Sequence, residues 1–261
     1  MAKTPIFTKP AFNKTLYIID GGKGGVGKSL VSTIAADRIV SRNLAEKLLV
    51  LDGDTTNPDV SRRFKNCGAT VAEADLRHPD EWMNALNLIE EAKTDFVVVS
   101  LPATAAIGER GNLLRTVAGE LGYRIVTAFV LSKTPDSIDL VAESHQIGTL
   151  SVSDSFVVIL NEFFGKASDF RRWDDSQIKR TIVADPRCAA VSVLPELFYS
   201  AMDVLQATAD YSPTELIQSG QLTVATRVEL KSWLDRAYRE FDKTDVASTS
   251  AAATEAPTDA G

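Results

Sequence analysis

The chain has 261 residues, 44% of them hydrophobic and 24% charged, with a formal net charge of −7 and a pI near 5.0. This is the composition of an ordinary soluble globular protein, long enough to bury its core without metals or disulfides. The two cysteines, Cys67 and Cys188, lie far apart without a Cys-x-x-Cys partner, so neither a disulfide framework nor a zinc site is expected, and a reducing cytoplasm is the simpler setting. The acidic balance gives no whole-molecule attraction for nucleic acid.

Residues 1–14 carry lysines but no apolar stretch of the signal-peptide kind and are expected to form a flexible arm. Leu16 to Asp20 (LYIID) predicts a buried strand, followed by a glycine loop and a helix from about Lys28 to Val40. Lys47 to Leu51 (KLLVL) predicts a second strand. Asp80 to Ala92 has Trp82, Leu86 and Ile89 at helical spacing. Phe96 to Leu101, Arg124 to Leu131 and Phe156 to Leu160 predict further strands. A final helix is expected over about Arg227 to Phe241, with Leu230, Trp233, Leu234, Tyr238 and Phe241 on one side. Residues 245–261 are rich in Ala, Thr and Ser and are expected to be a disordered tail.

No internal repeat interrupts this order. No apolar run reaches the roughly 20 residues of a membrane helix. Continuous apolar strands separated by helices predict a single doubly wound, mostly parallel sheet over residues 15–244, with helices on both faces. Ligands of such folds bind at the carboxyl ends of the strands.

Residues 22–29, Gly22-Lys23-Gly24-Gly25-Val26-Gly27-Lys28-Ser29, satisfy the pattern G-x-x-x-x-G-K-[ST] in full, between a strand and a helix. Glycines let the backbone curl so that N–H groups face phosphate oxygens. The N-terminus of the following helix favours the same anion. Lys28 would supply charge to the β- and γ-phosphates, Ser29 a hydroxyl ligand to Mg²⁺, and Leu30 continues the cofactor-binding segment.

The string Lys23 to Ser29 resembles the deviant Walker A motif of the ParA/MinD ATPases. That resemblance implies ATP with Mg²⁺ as ligands and an ATP-dependent homodimer, in which Lys23 reaches the partner's nucleotide and Lys28 its own. Leu51-Asp52-Gly53-Asp54 resembles the family's D-x-D segment. It implies that Asp54 orients the attacking water and that Asp52 supports the Mg²⁺ shell through water; the alternative is that both acids merely cap the following helix, which could hold for one of them. The third strand departs from the family. In Val99-Ser100-Leu101-Pro102, Ser100 stands where the family carries an aspartate that holds Mg²⁺ through water. A hydroxyl can bond that water but adds no charge, which implies slow hydrolysis or none. Asn161 and Pro195 correspond to the family's adenine-reading positions; a turn asparagine is the alternative for the first.

Phe156 to Gly165 (FVVILNEFFG), Leu194 to Leu197, Ser212 to Leu216 and Leu222 to Arg227 resemble the TraL-type branch of plasmid conjugal-transfer proteins. This implies a protein partner in a DNA-transfer or partition complex. Mixed charges around the final helix favour packing onto the domain over membrane binding. Arg171-Arg172-Trp173 is flanked by Asp169, Asp174 and Asp175, which favours a solvated helix start over a direct DNA contact. His78 and His145 are given no role. Two other classes stay open beside the ATPase switch: a nucleotide-gated scaffold without turnover, and a metabolic ligase of the same superfamily. Iron–sulfur relatives are set aside because neither cysteine falls in their cluster motifs.

Overall fold

The computed structural model describes residues 14–105, 107–108 and 110–254, with side chains to residue 243. In chain order the strands are β1 (Thr15–Asp20), β2 (Leu48–Asp52), β3 (Thr70–Glu73), β4 (Phe96–Ser100), β5 (Arg124–Leu131), β6 (Ser155–Asn161) and β7 (Cys188–Leu194). The helices are α1 (Lys28–Ser41), α2 (Asp59–Phe64), α3 (Glu81–Ala92), α4 (Arg110–Glu120), α5 (Pro135–Ile147), α6 (Thr149–Val152), α7 (Arg171–Asp174), α8 (Gln177–Ala184), α9 (Tyr199–Ala207), α10 (Pro213–Gln218) and α11 (Val224–Thr254).

The strands form one all-parallel sheet in the order β3-β2-β4-β1-β5-β6-β7. This is a doubly wound α/β architecture. Side chains alternate across the sheet. Tyr17 and Ile19 of β1 face a layer built from α1, α2, α9, α10 and α11, whereas Leu16 and Ile18 face α3 and α4. A third cluster under α5 to α8 completes the second face, with Phe129, Phe156 and Trp173 fully buried. Both faces of the sheet's interior are covered, which is why its inner strands read as unbroken apolar runs.

The five apolar residues expected on the final helix, Leu230, Trp233, Leu234, Tyr238 and Phe241, are all buried in the first layer. Among the described residues no helix is long and apolar enough to cross a membrane. The helix itself runs to Thr254, so its backbone passes through residues 245–254, which the sequence assigns to the tail. The arm, apart from Lys14, and the last seven residues of that tail lie outside the described residues.

Two polar ties fix the first layer. Asp37 of α1 is fully buried and accepts from the Thr214 amide (3.1 Å), the Thr214 hydroxyl (2.8 Å) and the Tyr238 hydroxyl. Thr214 is presented by a capping box at the start of α10, where Ser212 and Glu215 bond each other's backbone N–H and Pro213 takes the first helical position. The second tie is Asp52, whose Oδ2 accepts from the amides of Val60 (2.9 Å) and Ser61 (3.1 Å) and whose Oδ1 accepts from the Asp54 amide (3.3 Å). One carboxylate thereby joins the end of β2 to the first turn of α2.

Tyr238→Phe leaves the buried Asp37 short of one donor and is expected to cost on the order of 2 kcal/mol of unfolding free energy in a urea titration. An unchanged midpoint would show that Thr214 alone satisfies the carboxylate. Burial pushes the Asp52 carboxyl up to about 6, against the pull of its backbone donors. The folded protein therefore holds this proton more tightly than the unfolded chain, where an aspartate titrates near ~3.9. The group's contribution is full below about pH 4 and declines as pH rises through about 6. The stability difference between parent and Asp52→Asn, measured without nucleotide, should shift by about 2 kcal/mol in the variant's favour between about pH 4 and about pH 7. A pH-independent difference would contradict the assignment.

Candidate functional site

The central strand β1 ends at Asp20, and the chain then curls through Gly21–Gly27 into α1. Gly22, Gly25 and Gly27 all have positive φ. Gly27 (φ 102) is the most constrained, because a Cβ there would lie 2.4 Å from the Asn161 amide nitrogen. Asp20, missed in the sequence reading, anchors the start of the curl. Its Oδ1 accepts from the amides of Gly21 (2.6 Å) and Gly22 (3.0 Å), and its Oδ2 accepts from the Thr149 hydroxyl (2.7 Å) on the opposite layer. The N–H groups of Gly24, Gly25 and Gly27 meet no acceptor among the described residues. Unpaired amides converging beside a helix N-terminus form an anion cradle.

The two lysines of the loop are placed differently. Lys28 is 7% exposed, and its ammonium donates to the Lys23 carbonyl. Burial lowers its pKa, while the carboxylates of Asp20 and Asp54 raise it. Among the described residues no carboxylate forms an ion pair with this ammonium, and a phosphate would supply a close counter-ion. Lys23 stays at the surface and donates to the Thr134 hydroxyl (2.5 Å) and to Asp136 (2.7 and 2.8 Å) at the start of α5. The ammonium of Lys23 holds the Asp136 carboxyl below its usual range. Neither acceptor stands out in the sequence, since each lies more than a hundred residues from the lysine.

At the ends of β2 and β4, Asp52 pairs in register with Ser100, and Ser100 pairs with Ile19 of β1. The serine is 4% exposed. Gly53 must be glycine, because a Cβ would meet the Ser100 carbonyl oxygen at 2.7 Å and Pro102 at 2.9 Å. That close approach turns the chain so that Asp54 lies near enough to Lys28 to raise its pKa. Asp54 Oδ1 accepts from the Thr56 hydroxyl (2.5 Å) and amide (3.2 Å). Asp52 has both oxygens on backbone donors, the capping role weighed for one of the two acids.

Asn161 is 3% exposed at the end of β6. Its Nδ2 donates to the Val26 carbonyl (2.8 Å) and its Oδ1 accepts from the Phe163 amide (3.1 Å), so it braces the phosphate loop. Pro195 is half-buried, its carbonyl accepts from Trp233 Nε1 (2.7 Å), and it stands outside the neighbouring cleft. That cleft, of about 240 Å³, opens along Gly25, Gly27, Ser29, Leu30 and Asn161. Its remaining walls come from Thr33 of α1, from α2 and α9, and from Phe163. His145 pairs with Asp185 at 2.8 Å on the far layer, a structural contact that its sequence neighbours do not reveal. Trp173, between its two arginines, is buried in the core under α7.

The residues fit a nucleoside triphosphate: free amides and a buried ammonium for the phosphates, an adjoining cleft for the rest. Among the described residues no cluster of three His, Cys, Asp or Glu could hold a metal by itself. The Ser29 hydroxyl, at the first turn of α1, suits a cation that phosphates also ligate.

No protein-family model matches the chain. Protein MobD of Acidithiobacillus ferrooxidans is 28% identical over 233 residues, covering 88% of this chain and 97% of that protein. Among solved structures, the MinC:MinD cell division protein complex of Aquifex aeolicus is similar at 16% identity, TM-score 0.49, over 87% of this chain and 96% of that one. A putative plasmid partition protein of Borrelia burgdorferi bound to AMPPNP is similar at 12% identity, TM-score 0.46, over 87% and 99%. A nucleotide-binding protein of Archaeoglobus fulgidus in complex with ADP is similar at 14% identity, TM-score 0.46, over 76% and 87%.

Proposed function

We propose that this chain is an ATP-binding, slowly hydrolysing dimeric switch of the ParA/MinD kind, acting in the cytoplasm in plasmid conjugative transfer or DNA partition. The observation that carries the reading is the pairing of two lysines on one phosphate loop. Lys28 is buried, whereas Lys23 is partly exposed, its side chain 24% accessible, and is held on Asp136. A buried ammonium serves the chain's own phosphates, and an exposed one can be released toward another subunit. Ser29 would hold Mg²⁺, with Asp52 and Ser100 reached through water; the ion would offset charge on the β- and γ-phosphate oxygens. Asp54 would position the attacking water, and Asn161, which keeps a second amide hydrogen, would meet the base. Two nucleotide states that differ in dimerisation would differ in affinity for a protein partner, which is what makes a switch.

A second reading, a nucleotide-gated scaffold with negligible turnover, draws support from Ser100 and from the full occupation of Asp52 by backbone donors. Hydrolysis of Mg·ATP by the parent, run beside Asp54→Ala, separates the two. Turnover that disappears in the variant supports the switch. ATP binding without turnover in either protein supports the scaffold.

Lys28→Ala is expected to abolish ATP binding in a calorimetric titration, and unchanged affinity would remove the site. Lys23→Ala should bind ATP as the parent does yet stay monomeric with ATP in light scattering. A variant that still dimerises would end the trans-lysine role.

A further inference from the structure

The phosphate loop begins on an anion of its own. Asp20, the last residue of β1, accepts through Oδ1 from the amides of Gly21 (2.6 Å) and Gly22 (3.0 Å) and through Oδ2 from the Thr149 hydroxyl (2.7 Å). The first two amides of the loop are therefore taken by the chain's own carboxylate. Those of Gly24, Gly25 and Gly27 meet no acceptor among the described residues.

The carboxylate is fixed where it stands. Asp20 is buried, and so are Thr149 and the hydroxyls behind it. Thr149 Oγ1 lies 3.0 Å from Ser144 Oγ of α5, Ser153 donates to the Thr149 carbonyl (2.7 Å), and Ser153 Oγ lies 2.7 Å from Thr127 Oγ1 of β5. Gly21 leaves no slack on the other side, because a Cβ there would lie 2.6 Å from Val26 Cγ2 and 2.9 Å from the Val130 carbonyl oxygen. A carboxylate held on three donors in such surroundings cannot swing aside when phosphate arrives. Its field also reaches the loop with little screening, since it is withdrawn from solvent. The ammonium of Lys28 feels that field, with Asp20 and Asp54 acting on it through space.

The two consequences pull in opposite directions. Bonded to Gly21 and Gly22, Asp20 keeps the start of the loop curled without a ligand, so that binding has less to order. Its charge repels an incoming phosphate and competes with it for the field of Lys28. We propose that Asp20 is a positioning residue of the phosphate loop with both effects: it holds the loop ready for polyphosphate and lowers the affinity with which the loop keeps it. The proposal rests on the phosphate-loop reading above and adds to it a control on how firmly the ligand is held.

Substitution separates shape from charge. In Asp20→Asn the side-chain oxygen still accepts from Gly21 and Gly22, and the amide can donate to Thr149 Oγ1, so the curl stays and the charge goes. In Asp20→Ala both go. The test is calorimetric titration of the full chain and the two variants with Mg·ATP and with inorganic tripolyphosphate. Asp20→Asn should bind both ligands about tenfold more tightly than the parent, and Asp20→Ala should bind both about tenfold more weakly than Asp20→Asn. A purely structural role predicts loss in both variants, so the gain in Asp20→Asn is the distinguishing readout. An Asp20→Asn variant that binds no more tightly than the parent would overturn the effect of the charge while the phosphate-loop reading stands. An Asp20→Ala variant as tight as Asp20→Asn would overturn the effect on shape. Failure of the parent to bind either ligand would overturn the proposal together with the phosphate-loop reading.

Discussion

A lysine ammonium withdrawn from water at the carboxyl end of the central strand is the constraint around which this molecule is arranged. Lys28 has a carbonyl oxygen of its own loop as its close acceptor, with Asp20 and Asp54 acting on it only through space. To hold that group, the loop must curl tightly enough to bring the Lys23 carbonyl over the first turn of α1, and the curl demands positive φ at three glycines. Asp20 secures the loop from below by taking its first two amides, and Asn161 secures it from the side through the Val26 carbonyl. Each brace comes from a different strand of the sheet, so the sheet's register sets the shape of the loop.

The same economy applies to carboxylates. Asp20 and Asp52 sit at the ends of strands on either side of the site, yet both are occupied in holding backbone N–H groups. Asp54 is the acid of the group that, among the described residues, keeps one oxygen clear of backbone and side-chain donors. With Ser100 neutral, anionic charge near a bound cation would have to come largely from phosphate. A site so built holds its ligand through donors more than through a permanent metal-binding cage, in keeping with the absence of any such cage among the described residues.

Much of the architecture was legible from the chain. The loop between Leu16–Asp20 and α1, the β-branched run at Phe96–Ser100 and the Trp82, Leu86 and Ile89 face of α3 follow from local pattern, because burial on both faces writes itself as continuous apolar sequence. The edge strands β3 and β7 did not. Thr70–Glu73 is short and partly exposed, and Cys188–Leu194 relies on alanine and serine, so neither carries a strong apolar run. The site divides in the same way. Its phosphate end is one contiguous motif. Asp136 is brought to it from far along the chain, and it sits among ordinary surface residues with nothing local to mark it. Asn161 shows the limit of transfer by resemblance: the family position implies a base contact, and the contacts the structure shows are with backbone, at Val26 and Phe163.

The ion pair between Lys23 and Asp136 bears on how the molecule meets other polyanions. Exposed pairs of this kind are screened by salt, and so is any contact the lysine could form with a phosphate outside its own chain. Moving Lys23 from one to the other is an exchange of like for like, and ionic strength weakens both sides of it. The net effect is a loop whose selectivity is insulated from the salt content around it.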